Sequence, residues 1–158
     1  ITRNIDIPFT KNKVLNKEFI KESIYPALVE SDSLNAIWNK IYKSKLILSN
    51  NISFPIGIAL GEDGRFNVSA FTYANNAFFL DYYGYYYRDV EGSATRNILE
   101  KDYFIRSLQV YEESIEQYDK WDIDSDVVKK FKVKKFINNV LSYTYLYSEN
   151  DSLCSDKT

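Results

Sequence analysis

Residues 77–89 read Ala77-Phe78-Phe79-Leu80-Asp81-Tyr82-Tyr83-Gly84-Tyr85-Tyr86-Tyr87-Arg88-Asp89. This stretch holds five tyrosines within six residues, interrupted at Gly84 and followed by an arginine and an aspartate. A tyrosine side chain is mostly apolar surface that ends in a hydroxyl, so it suits a half-buried sheet or a binding surface. The stretch therefore predicts a β-strand with a binding surface beside it.

Two segments before this strand alternate with a period of two. Large apolar residues alternate with small residues from Ile52 to Leu60, and Phe66, Val68 and Ala70 share one face of the segment from Arg65 to Tyr73. The sequences Gly61-Glu62-Asp63-Gly64 and Ala74-Asn75-Asn76 are typical of turns. We therefore predict a three-stranded antiparallel β-meander at about residues 52–89.

Helical spacing marks two segments before the meander. Asn16 is placed to cap a helix from Lys17 to about Glu30, in which Pro26 predicts a kink or an end near Tyr25. A second helix is predicted after Ser31-Asp32-Ser33. Its apolar residues recur at helical spacing and are Leu34, Ile37, Trp38, Ile41 and Tyr42.

Two more helices are predicted after the meander. The first runs from Ser93 or Thr95 to about Asp119, and the second follows a possible cap at Ser125. The second helix is expected to bury Val133, Phe136, Ile137, Val140, Leu141 and Tyr145. The predicted fold class is α+β, because the meander is flanked by two N-terminal and two C-terminal helices. We expect one domain over residues 1–148 and a polar, frayed tail over 149–158.

The tyrosine strand supplies the first candidate binding residues. In strict alternation Phe78, Leu80 and Tyr82 face one side, and a bulge at Gly84 would exchange the faces beyond it. Tyrosine with arginine is the composition of interface hot spots. We therefore predict that a partner contacts Tyr82, Tyr83, Tyr85, Tyr86, Tyr87 and Arg88. The alternative is that helices cover both faces of the sheet.

Charge in the C-terminal third is divided between an acidic run and a basic run. Acidic residues dominate from Glu112 to Asp126, and we assign four of them to partner binding: Glu112, Glu113, Glu116 and Asp119. Carboxylates near a helix C-terminus oppose the helix dipole, which suggests a use such as docking a basic partner, whereas the competing interpretation is a purely solvated face. The basic run that follows is expected to be solvated, and it comprises Lys129, Lys130, Lys132, Lys134 and Lys135.

Composition argues against several functional classes. The sequence has no histidine, which removes the usual general base, Ser-His and Cys-His pairs, and most zinc sites. A net charge of −2 argues against direct nucleic-acid binding. No apolar run has the length of a signal peptide or membrane helix, and the single cysteine allows no internal disulfide. We expect a soluble, cytoplasmic protein that makes no membrane contact.

The sequence contains no complete motif for binding a metal or a cofactor. The triplet Asp122, Asp124 and Asp126 resembles the start of a calcium loop, but Val127 and Val133 occupy the positions of the required glycine and glutamate. No phosphate-binding glycine loop and no nucleophile elbow is present. We therefore expect no metal, no cofactor and no catalysis. A carboxylate-dependent or small-molecule-binding enzyme remains an alternative, because two acids suffice for glycoside hydrolysis.

In general type, the chain resembles bacterial immunity proteins, including those of contact-dependent growth inhibition and related polymorphic toxin systems. The features that carry the resemblance are the tyrosine run Tyr82 to Arg88 and the acidic stretch Glu112 to Asp126. The resemblance implies a cognate protein toxin, often a basic nuclease, that is neutralised by stoichiometric binding. It implies no particular fold. An inhibitor or adaptor of another protein, encoded by a phage or a host, is the alternative within the protein-binding class.

Overall fold

The described part of the chain is mostly helical. The computed structural model describes residues 8–56, 61–82, 84–85 and 103–148. In chain order these form β1 (Val14–Leu15), α1 (Lys17–Phe19), a π-helical turn (Ile20–Ile24), α2 (Tyr25–Glu30), α3 (Ser44–Ser49), α4 (Glu62–Tyr73), β2 (Ala77–Phe78), α5 (Tyr103–Tyr118) and α6 (Ser125–Ser148). The two strands pair antiparallel, with Val14 opposite Phe78 and Leu15 opposite Ala77.

The three-stranded meander predicted for residues 52–89 is wrong. The segment predicted as its middle strand is α4, and only Ala77–Phe78 of the third strand lies in a sheet, where its partner is β1. The first predicted strand is not a strand over residues 52–56, and its remainder, 57–60, lies outside the described residues. The observed architecture is α+β only in the limited sense of a helical domain with one two-stranded sheet.

A buried asparagine explains why α4 was mistaken for a strand. α4 buries Phe66, Asn67, Val68 and Ala70, with Phe66 and Ala70 in one hydrophobic cluster and Val68 in another. Because Asn67 is polar, the apolar residues alone show a false period of two. Its amide is fully paired inside the protein: Tyr42 Oη donates to Oδ1 at 2.6 Å, and Nδ2 donates to the carbonyl oxygens of Asn35 at 2.6 Å and Asp63 at 2.9 Å. Burial of the amide is therefore compensated.

The predicted hairpin turn at residues 61–64 is the start of the same helix. Gly61 has φ +82°, a left-handed conformation that glycine adopts without steric cost, and it precedes the first helical residue. A Cβ at Gly61 would lie 3.1 Å from a methyl carbon of Val110, so this glycine also allows α5 to approach. Glu62 and Asp63 occupy the first turn, where the helix dipole favours carboxylates.

The first N-terminal helix is confirmed, with one change. The Asn16 side chain accepts a hydrogen bond from the Phe19 N–H at 3.1 Å, as expected of an N-cap. The helix does not end near Tyr25. Pro26 lacks an N–H group, and a π-helical turn directly precedes it, in which the Tyr25 N–H bonds the carbonyl of Ile20.

The second N-terminal helix, predicted after Ser31-Asp32-Ser33, is not formed. Residues 31–43 are turns and irregular backbone, and helical structure begins only at α3. Side chains of α4 form hydrogen bonds with the backbone of this loop. Asp63 Oδ2 accepts from the Ile37 N–H at 3.3 Å, and Asn67 Nδ2 donates to the Asn35 carbonyl. Within this loop Leu34 is buried, whereas Ile41 is 95% exposed.

Helices are present at both predicted C-terminal positions, but α6 buries a different side than expected. Val133, Ile137 and Leu141 are exposed, Phe136 and Val140 are half-buried, and the Tyr145 side chain lies outside the described part. The helix instead turns Val128 and Lys132 into the core. Lys132 bonds Tyr118 there and Lys135 pairs with Asp32, so polar contacts as well as apolar ones set the rotation of α6.

The main core joins α2, α4, α5 and α6 around Trp121, which follows α5 and is 2% exposed. Its ring stacks on Tyr25 with centroids 3.9 Å apart and meets Tyr118 edge-on at 4.8 Å. Its Nε1–H donates to Thr72 Oγ1 at 2.7 Å. This aromatic cluster therefore connects elements from both ends of the chain.

One lysine ties α1 to the end of α4. Lys17 Nζ donates to the carbonyl oxygens of Thr72 at 2.7 Å and Ala74 at 2.9 Å, with a longer contact to Phe71 at 3.3 Å, and to the Tyr25 hydroxyl at 3.0 Å. The last carbonyls of a helix lack intrahelical partners and carry the negative end of the dipole, so an ammonium group is favourable there. Burial, followed by the nearby charge of Lys21, lowers the pKa of Lys17.

We expect Lys17→Met to destabilise the fold by about 1–2 kcal/mol, because carbonyl groups at the end of α4 lose a charged donor. The measurement is urea unfolding followed by circular dichroism, with the midpoint lowered at an unchanged slope. Lys13→Met is the matched control, because Lys13 is exposed. Equal losses in the two variants would show that the contact does not stabilise α4.

Candidate functional site

An exposed apolar face covers one side of the β1–β2 sheet and the chain that continues from it. We call Val14, Phe78, Leu80 and Tyr82 the outer face. Their exposed fractions are 61%, 49%, 61% and 77%. Val14 and Phe78 are directly opposite each other in the antiparallel pair, so their side chains lie on the same side of the sheet. Leu80 and Tyr82 follow β2 along the chain, outside the sheet, and are also exposed.

The opposite side of the sheet holds this face in place. Leu15 is 5% exposed, and Ala77 and Phe79 are half-buried against the main core. The Phe79 ring packs on Phe9 with centroids 5.0 Å apart, and Phe9 meets Phe19 of α1 edge-on at 5.9 Å. Alternate side chains therefore anchor the strand, which leaves the outer face on a supported backbone.

Polar contacts extend the pairing beyond the two strands. Asn12, with φ 57°, adopts a left-handed conformation that asparagine tolerates. Its N–H donates to the Phe79 carbonyl at 2.7 Å, and its Oδ1 accepts from the Asp81 N–H at 3.4 Å. Lys11 Nζ lies 3.0 Å from Asp81 Oδ1 in an exposed ion pair. The outer face thus has a polar border, although an exposed ion pair adds little stability.

An aromatic contact lies beyond the outer face along the chain. The Tyr85 ring stacks on Trp38 with centroids 4.9 Å apart. Trp38 is 38% exposed and Tyr85 51% exposed, so the pair leaves aromatic surface open to solvent. Trp38 belongs to the irregular loop after α2, where the sequence predicted a helix. The loop therefore brings a second aromatic residue to the tyrosine stretch.

The predicted tyrosine site is described only in part. Tyr82 and Tyr85 are exposed, in agreement with a surface role. Tyr83, Tyr86, Tyr87 and Arg88 lie outside the described residues. Partner binding by any of these residues stays a prediction.

The predicted acidic site lies on another element. Glu112 is exposed on α5 and Asp119 is exposed just after it, whereas the side chains of Glu113 and Glu116 lie outside the described part. Among the described residues, no hydrogen bond, ion pair or ring contact joins Glu112 or Asp119 to Tyr82 or Tyr85. The structure therefore supplies no described contact that would make the two predicted groups one site.

One member of the basic run is buried, contrary to the expectation that all five lysines are solvated. Lys132 is 6% exposed, its Nζ donates to the Tyr118 hydroxyl at 2.9 Å, and that hydroxyl donates to the Leu28 carbonyl at 3.2 Å. Burial, with a smaller effect of the Lys135 charge and opposed by Asp32, lowers the pKa of Lys132 to about 8. Burial raises the pKa of Tyr118. This pair lies inside the fold, so we regard it as structural.

A shallow cleft of about 450 Å³ lies between the end of α2 and α6. Its lining is mostly polar, with Glu30, Ser31 and Asp32 on one side and Phe131, Lys134, Lys135, Asn138 and Asn139 on the other. Asp32 is paired with Lys135, and its side chain is 58% exposed. This carboxylate is therefore largely solvated and already paired with a cation.

The aspartates that resemble a calcium loop have a local role. Asp124 Oδ1 accepts a hydrogen bond from the Asp126 N–H at 2.8 Å, and the Asp124 carbonyl accepts from Val128, so Asp124 caps α6 in place of the predicted Ser125. No group of three or more potential metal-ligating side chains occurs within the described ranges.

Comparisons of the chain with protein-family models, curated proteins and solved structures find no match. None of the described helices combines the length and the apolar character needed to cross a membrane.

Sequence reasoning missed two contributors to the exposed surface. Val14 joins the outer face only through its pairing with Phe78, for which the sequence contains no local signal. Trp38 reaches Tyr85 because its segment is a loop. That Leu80 and Tyr82 share the facing of Phe78 stays a prediction, because β2 ends at Phe78.

Proposed function

We propose that this chain is a non-catalytic protein-binding domain that contacts its partner through the outer face. The observation that carries the proposal is the exposure of Val14 and Phe78 on one side of a sheet whose other side is anchored in the core, together with exposed Leu80 and Tyr82 in the chain that follows. Contiguous apolar surface of this kind marks sites of association. An apolar centre with a polar border is also the usual anatomy of a protein interface.

We further propose that the partner is a cognate toxin, neutralised in the cytoplasm by one-to-one binding. This rests on the resemblance to bacterial immunity proteins, which is carried by the tyrosine run Tyr82 to Arg88 and the acidic stretch Glu112 to Asp126. Exposed Glu112 and Asp119 fit a basic partner, since opposite charge speeds association. Tyr85 and Trp38 extend the aromatic surface available to that partner.

An inhibitor or adaptor with another target would use the same surface. Gene neighbourhood separates the two possibilities, because a toxin is expected to be encoded immediately upstream. The enzyme alternative is not favoured by the cleft between α2 and α6, where Asp32 is already paired with Lys135.

The experiment is a growth-protection assay in cells that express the protein encoded immediately upstream. We expect the wild-type chain to protect and Leu80→Asp to lose protection, because a charge at the centre of the outer face would be desolvated in the complex. Ile41→Asp is the matched control, since Ile41 is 95% exposed and lies in another loop. It should protect like the wild type.

Circular dichroism and urea unfolding of the purified variants distinguish lost binding from lost folding. Both substitutions replace exposed residues, so both should shift stability by less than about 1 kcal/mol. Full protection by a folded Leu80→Asp variant would show that the outer face is not the contact surface. Absence of protection by the wild type would count against the toxin as partner.

A further inference from the structure

A second exposed apolar surface lies on α6, the helix whose rotation the sequence did not predict. We call Val133, Ile137, Leu141 and Thr144 the α6 stripe. Val133 is 40% exposed, Ile137 50% and Leu141 63%, and Thr144 is also exposed. Steps of four, four and three residues keep them on one side of the helix. The stripe extends over about three turns.

The rest of the helix is occupied by its own fold. Val128 and Lys132, which are buried, lie on the side of the helix opposite the stripe. Phe136 lies between, and its ring faces α5, with centroids 6.0 Å from Phe104 and 5.7 Å from Tyr111. The stripe is therefore left over after α6 has packed against both of its neighbours.

Hydroxyl groups near the stripe are satisfied within the helix. Thr144 Oγ1 donates to the Val140 carbonyl at 2.9 Å, and Ser142 Oγ donates to the Asn138 carbonyl at 2.8 Å. Because these hydroxyls already donate hydrogen bonds within the helix, a molecule that covers them need not supply an acceptor, and the cost of burying them is lower. The surface is consequently more apolar than its sequence suggests.

Three exposed lysines border the N-terminal half of the stripe. By helical spacing Lys129 and Lys134 lie on its two sides, and Lys130 precedes Val133 by one turn. Lys129 has one long, exposed ion pair with Asp126 at 3.9 Å. Neither Lys130 nor Lys134 has an ion-pair partner among the described residues. An occupant that brings carboxylates here would gain from opposite charge.

We propose that the α6 stripe is a docking site for an amphipathic helix of a partner protein that carries Asp or Glu beside its apolar anchors. Anchors at three- and four-residue steps are the pattern by which two helices recognise each other. The lysine border then selects acidic flanks. This surface is separate from the outer face, so the proposal does not depend on the function proposed above.

A second copy of this chain fits the stripe less well. In a parallel arrangement, Lys130 and Lys134 would face their own counterparts, and like charges at an interface are unfavourable. In an antiparallel arrangement they would face the half of the stripe that holds Leu141 and Thr144, which supplies no countercharge. An acidic helix satisfies both the apolar residues and the lysines.

The test uses two synthetic helical peptides of about three heptads, with leucine at the core positions and either glutamate or lysine at the flanking positions. Fluorescence anisotropy measures their binding to the full chain at low salt. We expect the glutamate peptide to bind about tenfold or more tighter than the lysine peptide, because charge contrast sets partner choice at such flanks. Added salt should reduce the difference.

Variants locate the site. Ile137→Asp should abolish binding of the glutamate peptide. Ile41→Asp makes the same substitution at an exposed residue on another surface and should leave binding unchanged. The double substitution Lys130→Glu with Lys134→Glu should reverse the peptide preference, which keeps the proposal testable if Ile137→Asp does not fold.

Several results would overturn the proposal. These are equal binding of the two peptides, undiminished binding by a folded Ile137→Asp variant, and a preference that the double substitution does not change. If sedimentation showed that the wild type is a dimer and the Ile137→Asp variant a monomer, the stripe would be assigned to a second copy of the chain. Binding to phosphatidylserine vesicles that depends on Ile137, without binding of either peptide, would assign it to a membrane surface.

Discussion

Replacement of Trp121 by alanine is expected to destabilise the fold by about 3–5 kcal/mol, the range for removal of a large aromatic side chain from a core. Trp121 is 2% exposed and stacks on Tyr25 at 3.9 Å. It also bonds Thr72 on α4 and contacts Tyr118 on α5. One truncation therefore opens a cavity at the point where several helices meet. Urea unfolding followed by far-ultraviolet circular dichroism measures the loss.

Two control variants separate the effect of losing the Trp121 ring from the effects of losing its hydrogen bond or an exposed tryptophan. Trp121→Phe keeps an aromatic ring but removes the donor to Thr72, so we expect a smaller loss of about 1–2 kcal/mol. Trp38→Ala removes a tryptophan that is 38% exposed and should cost about 1 kcal/mol. If Trp121→Ala cost no more than Trp38→Ala, Trp121 would not be the centre of the core.

Replacement of Lys132 by methionine is expected to stabilise the protein at pH 7, on the order of 2 kcal/mol. The ammonium group of Lys132 is buried, which lowers its pKa from 10.5 to about 8. Methionine fills similar volume without a charge. The Tyr118 hydroxyl keeps its bond to the Leu28 carbonyl, so no buried polar group loses its last partner.

The gain should depend on pH in a defined direction. Below about pH 8 the lysine is protonated in both states, and the folded protein bears the full cost of burying the charge. Between about 8 and 10.5 the folded state releases this proton while the unfolded state retains it, so the wild type recovers stability as pH rises. The advantage of Lys132→Met should therefore shrink toward pH 10.

The charged groups around Lys132 are Lys135 on the same helix and Asp32 after α2, with the Tyr118 hydroxyl on α5. Thermal unfolding across pH 6–10 compares the variant with wild type and with Lys130→Met, which replaces an exposed lysine of the same helix. Lys130→Met should change stability little at any pH. A destabilised Lys132→Met variant at pH 7 would show that the bond to Tyr118 outweighs the cost of burial.

Local signals predicted the elements that local interactions determine. The helix after Asn16 was predicted from a cap and its spacing, and α5 and α6 from long periodic segments. These features depend on neighbours a few residues away along the chain. Of the strand predicted from Ala77 to about Asp89, only Ala77–Phe78 lies in a sheet, and its partner is β1 instead of a meander strand.

Elements determined by distant contacts were not predictable in the same way. A two-residue strand such as β1 carries no readable pattern, and Val14 finds Phe78 only in the folded chain. Asn67 concealed the helical spacing of α4, because a buried polar residue looks like a surface residue in a sequence. Lys132 misled the reading of α6 for the same reason, since Tyr118 makes its burial possible.

The candidate site follows the same division. Alternation predicted that Phe78, Leu80 and Tyr82 belong together, and all three are exposed, whereas Val14 and Trp38 joined the exposed surface through tertiary structure. Which side of the sheet faces solvent was undecidable, because aromatic residues occupy both sides. Packing of Phe79 on Phe9 settles it.

The most direct test of the protein-binding account is isothermal titration calorimetry of the wild-type chain and Leu80→Asp with the purified protein encoded immediately upstream. We predict a tight one-to-one complex for the wild type, a loss of at least about tenfold in affinity for Leu80→Asp, and unchanged affinity for Ile41→Asp. No complex with the wild type, or equal affinity of the wild type and a folded Leu80→Asp variant, would contradict it.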